Sequence, residues 1–171
     1  MKILHKILVM FGFKIKKKKW TDEKHISIIL KSITAKHGLD PKLIAAIIYQ
    51  ESKGDPFAYR DEPAFYNKYI QHLTRKTLPG YVARGVPTLL SEKLARSRSF
   101  GLCQILGETA RENGFRGRYL SQLYDPQTNI EIGCKFFKAL LVKTKGDVTQ
   151  ALLRYNGGGE PNYPRYVLNH I

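Results

Sequence analysis

The sequence predicts an all-α domain. Three observations carry that expectation. Apolar residues recur at helical spacing along most of the chain. Two Asp-Pro pairs, at 40–41 and 125–126, read as helix starts, with aspartate as N-cap and proline at the first helical position. No run alternates apolar and polar residues over the length of a strand. The chain has 171 residues, 43% of them hydrophobic and 25% charged, which suits one globular domain that buries its own core.

The first 19 residues stand apart as a basic, weakly amphipathic tail. Residues 3–13 are mostly apolar and 14–19 read KIKKKK. The apolar stretch is too short to span a bilayer, and no small-residue cleavage site follows it, so a cleavable signal peptide is not expected. As a helix, Ile3, Leu4, Ile7, Leu8 and Phe11 share a face, which suits a weak interfacial anchor backed by lysines. A frayed basic tail fits equally well.

The domain proper is expected over 20–171. Ile26, Ile29, Leu30 and Ile33 place a helix at 22–37, with Gly38 at its end. Asp40-Pro41 opens a helix over 41–53 that buries Leu43, Ile44, Ile47 and Ile48. Residues 55–98 hold four prolines and many aromatics and read as an inserted lobe of short helices and a long loop, closed by a helix at 89–97. A helix at 107–113 ends at Gly114. After Asp125-Pro126, Ile130, Cys134, Phe137 and Leu141 form one stripe of a helix that stops at Gly146. Asp147 and Gln150 resemble a capping box ahead of Val148, Ala151, Leu152 and Tyr155. Gly157-Gly158-Gly159 breaks the chain before a last short segment, 163–170.

The charge narrows the function classes. Twenty-nine Lys and Arg against 14 Asp and Glu give +15, which points to a polyanionic partner: nucleic acid, an anionic membrane or a cell wall carrying carboxylates and phosphates. The lysine run lies in the tail, not along a core helix, and no nucleic-acid motif appears, so specific nucleic-acid binding is not expected; a nucleic-acid or anionic-surface binding protein is the alternative from outside the enzymes. Cys103 and Cys134 sit in apolar contexts with no Cys/His cluster nearby. Two small buried side chains or a disulfide both fit, and no metal or cofactor is expected.

Glu51 is the candidate for chemistry. It falls on the apolar face of its helix, three residues after Ile48 and seven after Ile44. Desolvation there disfavours the charged carboxylate and raises its pKa, as a general acid requires. Three later segments place amides and tyrosines at glycine-relieved turns: SFGLCQI (99–105), RYNGG (154–158) and YPRYV (163–167). Such groups suit sugars, which need paired donors and acceptors beside a flat apolar surface. Each segment alone is equally served by core packing.

As an ordered set, Glu51-Ser52, Gly101 to Ile105 (GLCQI), Asp125 to Gly133, Tyr155 to Gly158 (YNGG) and Arg165 to Val167 (RYV) resemble the SLT-type lytic transglycosylases, relatives of goose-type lysozyme. The likeness covers about 39–171. It implies a lysozyme-like helical fold with an active-site cleft, and peptidoglycan glycan strands as substrate. It implies Glu51 as the single catalytic acid/base, and Ser52, Gln104, Tyr155, Asn156 and Tyr166 as substrate-binding or supporting residues, with the Tyr166 hydroxyl reaching the glutamate. It further implies action in the periplasm or cell envelope, bacterial or phage-encoded. A monomer is expected, and the basic 1–19 tail is expected as a contact for an anionic membrane or wall polymer.

Two departures stand out. Cys103 occupies a position where methionine is usual, and the stretch from Glu51 to Gly101 is long for the family, its Arg60 to Tyr66 segment resembling a bacteriophage subgroup. A goose-type hydrolase is the rival reading, and it would need a second carboxylate; Asp61 and Glu62 are the candidates, beside a plainer role as a solvated pair next to Arg60.

Overall fold

The computed structural model describes residues 23–74, 76–78 and 88–171. The tail at 1–19 and the centre of the long loop lie outside the described residues. Eight helices and a small sheet make up the rest: α1 (Glu23–His37), α2 (Pro41–Ser52), β1 (Tyr59–Asp61), a single turn α3 (Pro63–Phe65) running into a wider π-turn (Tyr66–Ile70), α4 (Leu89–Arg96), β2 (Arg98–Phe100), β3 (Ile105–Leu106), α5 (Gly107–Glu112), a 3₁₀ turn (Leu120–Tyr124), α6 (Pro126–Lys143), α7 (Val148–Tyr155) and α8 (Tyr163–Leu168).

The helix starts follow the chemistry of their caps. Asp40 Oδ1 accepts the Lys42 N–H at 2.8 Å. Asp125 Oδ2 accepts the Thr128 N–H at 2.9 Å and its hydroxyl at 2.6 Å, and Asp147 Oδ1 accepts the Gln150 N–H at 2.9 Å. Each bond satisfies a donor that the first helical turn leaves open. α1 packs along α6, α2 along α8, and α6 against α7. Their shared core includes Ile33, Ile44, Ile47, Ile130, Cys134, Phe137, Leu152 and Val167. Removing each such side chain from water contributes about 2 kcal/mol. Both cysteines are buried as free thiols, and burial pushes the Cys134 thiol up to about 12.

The sheet is a departure from the expected all-helical pattern. Its three antiparallel strands run in the order β1-β2-β3, with Arg60 opposite Ser99 and Ser99 opposite Leu106. At two or three residues each, the strands are too short to show an alternation in sequence.

A buried charge cluster holds the frame of this sheet. Glu92 and Arg96 on α4 are fully buried, with Glu108 and Arg111 on α5 nearly so. Glu92 accepts from Arg96 at 3.0 Å and from Arg111 at 2.9 and 3.1 Å, and Arg96 also donates to Glu108 at 2.9 Å. Arg111 continues to the Phe115 and Gly117 carbonyls. Two carboxylates and two guanidiniums balance, which is what lets charges sit in the interior. α4 leads into β2 and α5 leaves β3, so the cluster ties both ends of the sheet together.

Candidate active site

Glu51 lies in the last turn of α2, half-buried, at the wall of an open cleft of about 380 Å³. Burial raises its carboxyl pKa above the ordinary value; the Tyr163 hydroxyl and the Arg60 charge pull against that shift. Tyr163, on α8, donates its hydroxyl to Glu51 Oε1 at 2.5 Å. Its ring lies nearly parallel to that of Tyr155, 6.5 Å between centroids at 14°. Tyr155 in turn donates to the Cys103 carbonyl at 2.7 Å. The two tyrosines thus link the ends of α7 and α8 to the carboxyl group and to the turn between β2 and β3.

That turn is fixed from below. Asn129 on α6 is fully buried. Its Oδ1 accepts the Cys103 N–H at 2.8 Å, and its Nδ2 donates to the Phe100 and Leu123 carbonyls at 2.8 and 2.9 Å. The side chain presses so closely on Gly101 that an added Cβ there would lie 2.6 Å from Nδ2, and Gly101 also has φ +67°. Only glycine suits that position. Gly133 makes the matching allowance for Cys103, whose Sγ would lie 2.8 Å from a Cβ at 133. Cys103 therefore packs directly onto helix backbone.

Gln104 sits at the end of the turn with φ +43°. Its amide nitrogen donates to the Ala58 and Gly101 carbonyls at 3.0 and 2.9 Å. Both N–H groups are so used, and the acceptor Oε1 is what it can offer a ligand. Strand pleating puts Arg60, Ser99 and Leu106 on the cleft face of the sheet. Glu62 lines the cleft too, bound to Arg60 Nε at 2.6 Å, whereas Asp61 is paired with Arg98 at 2.6 Å and takes no part in the lining. Asn156 caps α7 and completes the wall with Tyr155 and Gly157. Among the described residues, no group of three His, Cys, Asp or Glu side chains could hold a metal ion.

A sequence profile of the transglycosylase SLT domain matches residues 29–164, which spans this whole arrangement. The chain belongs to the transglycosylase SLT domain family. Over 144 residues the SLT chain is 28% identical to the membrane-bound lytic murein transglycosylase E of Buchnera aphidicola subsp. Acyrthosiphon pisum (strain APS). The alignment takes in 81% of this chain and 47% of that protein, so the chain spans about half the length of the curated relative it matches. No solved structure matches.

The SLT cleft brings together Glu51, Gln104, Tyr155 and Asn156 of the residues expected from sequence. Ser52 lies beside them but serves the frame. Its hydroxyl is 2.8 Å from the Leu102 carbonyl and 3.1 Å from that of Ile48, so it ties α2 to the β2–β3 turn and leaves Glu51 alone. The expectation for Tyr166 is corrected. The hydroxyl on Glu51 belongs to Tyr163, one helical turn earlier in α8. Tyr163, Pro164 and Val167 form the buried face of that helix. At about 100° per residue, Tyr166 falls roughly 100° from the centre of that face. It is exposed, with the Arg165 guanidinium 5.7 Å from its ring. Tyr163 and Asn129 are the residues that sequence reasoning missed. The spacing of Tyr163 from Val167, four residues on one helical face, is the signal that finds the first.

Proposed function

We propose that this SLT domain cleaves the β-1,4 bond between N-acetylmuramic acid and N-acetylglucosamine in peptidoglycan by lytic transglycosylation, in the cell envelope. One observation carries the reading: of the two carboxyl groups that line the cleft, Glu62 is engaged by Arg60, while Glu51 has its pKa raised by burial and its position fixed by a tyrosine hydroxyl. The relative's name, a lytic murein transglycosylase, supports it.

Protonated Glu51 donates its proton to the glycosidic oxygen, and the bond from that oxygen to the muramic acid C1 breaks. The substrate's own N-acetyl group stabilises the positive charge that develops at C1. Glu51, now a carboxylate, takes the proton of the same sugar's C6 hydroxyl while O6 bonds to C1. The product is a 1,6-anhydro ring, no water is consumed, and Glu51 ends protonated as it began. Tyr163 holds the carboxyl group through both transfers and favours its ionised form in the second. An intramolecular nucleophile needs no second carboxylate to activate it, and its high effective concentration replaces one.

Hydrolysis is the second reading, since Glu62 lines the same cleft. Its carboxylate is engaged by Arg60 at 2.6 Å, which suits it to hold Arg60 in place more than to activate water. Glu51→Gln tests the shared premise. Release of soluble fragments from insoluble peptidoglycan should stop with the circular dichroism of the fold unchanged. Retained release would remove Glu51 from the chemistry.

The basic surface finds a use in the same setting. Peptidoglycan and its attached polymers carry carboxylates and phosphates, and a chain at +15 is drawn to them in a salt-dependent way. Among the described residues no helix is long and apolar enough to cross a membrane. The 1–19 tail is proposed as an added contact with anionic membrane or wall polymer.

A further inference from the structure

Strand pleating gives the sheet a second face, which the mechanism does not use. Tyr59 and Asp61 of β1 and Arg98 and Phe100 of β2 point away from the cleft side that Arg60 and Ser99 occupy. The 3₁₀ turn packs on this back face through Tyr124, whose ring meets Phe100 edge-on at 5.3 Å and Phe57 at 6.3 Å. Beside it opens a cavity of about 210 Å³, lined in part by Arg98, Tyr119, Tyr124, Ser91 and Ser121. Phe57, Tyr59 and Tyr119 are all exposed next to this group. The Arg98 guanidinium lies 4.9 Å from the Tyr59 ring and that of Arg118 5.7 Å from the Tyr119 ring. Asp61 is bound by Arg98, and Glu92, which also lines the cavity, is fully buried and bound by Arg96 and Arg111. The face therefore presents aromatic rings, hydroxyls and guanidiniums, and both of its carboxylates are already paired.

We propose that this back face is a second glycan-binding site, which holds a neighbouring, uncut strand of the wall while the cleft works on another. The inference rests on the function proposed above, which sets the domain among such strands. A sugar ring has a flat C–H face that lies on an exposed aromatic ring, and hydroxyl and acetamido groups at its edge that pair with Ser91, Ser121, the tyrosine hydroxyls and Arg98. A polar cavity flanked by rings is the arrangement that such a ligand fits. Single-stranded nucleic acid fits less well. It stacks successive bases on an aromatic platform along a basic groove, whereas the rings here are inclined by 42° and 74° and one of the two guanidiniums is held by Asp61. Because this face is turned away from the cleft, one domain can touch two strands at once. The second contact raises the effective concentration of the cleft on the insoluble polymer and does nothing for a short soluble fragment.

The test uses the full chain with Tyr59→Ala/Tyr119→Ala, and with Tyr59→Phe/Tyr119→Phe to keep the rings. Both positions are exposed, and thermal unfolding checks that each variant folds. Binding is read by co-sedimentation with insoluble peptidoglycan, in a Glu51→Gln background so that the polymer stays intact. Turnover is read separately on a short soluble glycan fragment. Loss of two ring contacts should weaken sedimentation by about tenfold, the phenylalanine variant should keep most of it, and turnover of the short fragment should stay within about twofold of wild type in both. Polymer stripped of its peptides by an amidase should show the same loss, because the rings take sugar. Unchanged sedimentation in the alanine variant, an equal loss in the phenylalanine variant, an equal fall in turnover of the short fragment, or a loss confined to peptide-bearing polymer would each overturn the inference. So would a variant that loses binding to a single-stranded DNA oligonucleotide and keeps binding to peptidoglycan, which would give the face to nucleic acid. Should the wild type cut neither polymer nor fragment, the proposed function fails, and sedimentation still decides the back face: a ring-dependent loss sustains it, and no loss ends it.

Discussion

Asn129→Ala should be among the most damaging substitutions in the domain, although the residue never touches the Glu51 carboxyl group. The Asn129 side chain is fully buried and makes three hydrogen bonds, one accepted and two donated, all to backbone of the segments that shape the cleft. Its removal strands the Cys103 N–H and the Phe100 and Leu123 carbonyls. A buried backbone group without a partner costs about 1–3 kcal/mol. Three of them give roughly 3–6 kcal/mol once water enters the vacated space, a large part of the net stability of an ordinary domain. Urea unfolding measures this as a lower midpoint at unchanged slope. Asn129→Asp keeps the acceptor for Cys103 but sets a carboxylate oxygen against two carbonyls, and should lose nearly as much. Below the new melting point the alanine variant should also lose at least about tenfold in activity, because Gln104 and the Cys103 carbonyl that anchors Tyr155 both sit on the freed turn. A loss under about 1 kcal/mol with full activity would show that the turn holds itself and would refute the reasoning.

Tyr163→Phe should lower the rate about 10- to 100-fold by removing a hydrogen bond to a charged group, worth about 1.5–3 kcal/mol. The hydroxyl favours ionised Glu51, so the fall of activity on the alkaline side should move to higher pH; Tyr166→Phe, at an exposed ring, should change neither the rate nor the profile. Glu51→Gln should also change stability. Because the folded pKa of Glu51 is raised, its stabilising part is complete below the unfolded value of 4.5 and is lost as pH rises through the folded value; the glutamine variant should melt higher than wild type at about pH 8 and level with it at about pH 4, and an equal difference at both would contradict the shift. Glu92→Ala leaves two buried guanidiniums without their shared carboxylate and should cost about 3–5 kcal/mol by urea unfolding. Asp61→Ala, which removes a pairing between 60%-exposed Asp61 and 39%-exposed Arg98, should cost under about 1 kcal/mol by the same measurement.

The helices were legible because their signals are local. Asp40, Asp125 and Asp147 cap where the sequence places them, and the stripe Leu43, Ile44, Ile47, Ile48 is buried as its spacing requires. Glu51 was legible for the same reason, since its place on an apolar face depends only on its own helix. The sheet was not, because its register is set by pairing across 37 residues, as between Asp61 and Arg98. The charged cluster of Glu92, Arg96, Glu108 and Arg111 was not either. A helix that reads LLSEKLAR suggests a wet face, and here the glutamate and arginine lie inside while Leu90 and Leu94 are exposed; partners on α5 reverse the usual preference. The motif alone points to Tyr166 over Tyr163, and the three-residue offset matters because only Tyr163 shares a face with Val167.

The central claim is that Glu51 works alone, with the substrate supplying the nucleophile. Mass spectrometry of fragments released from purified peptidoglycan tests it most directly. Muramic acid ends in the 1,6-anhydro form are the expected result. Reducing muramic acid ends, about 18 mass units heavier by the added water, would contradict it and turn attention to Glu62 as the group that activates that water.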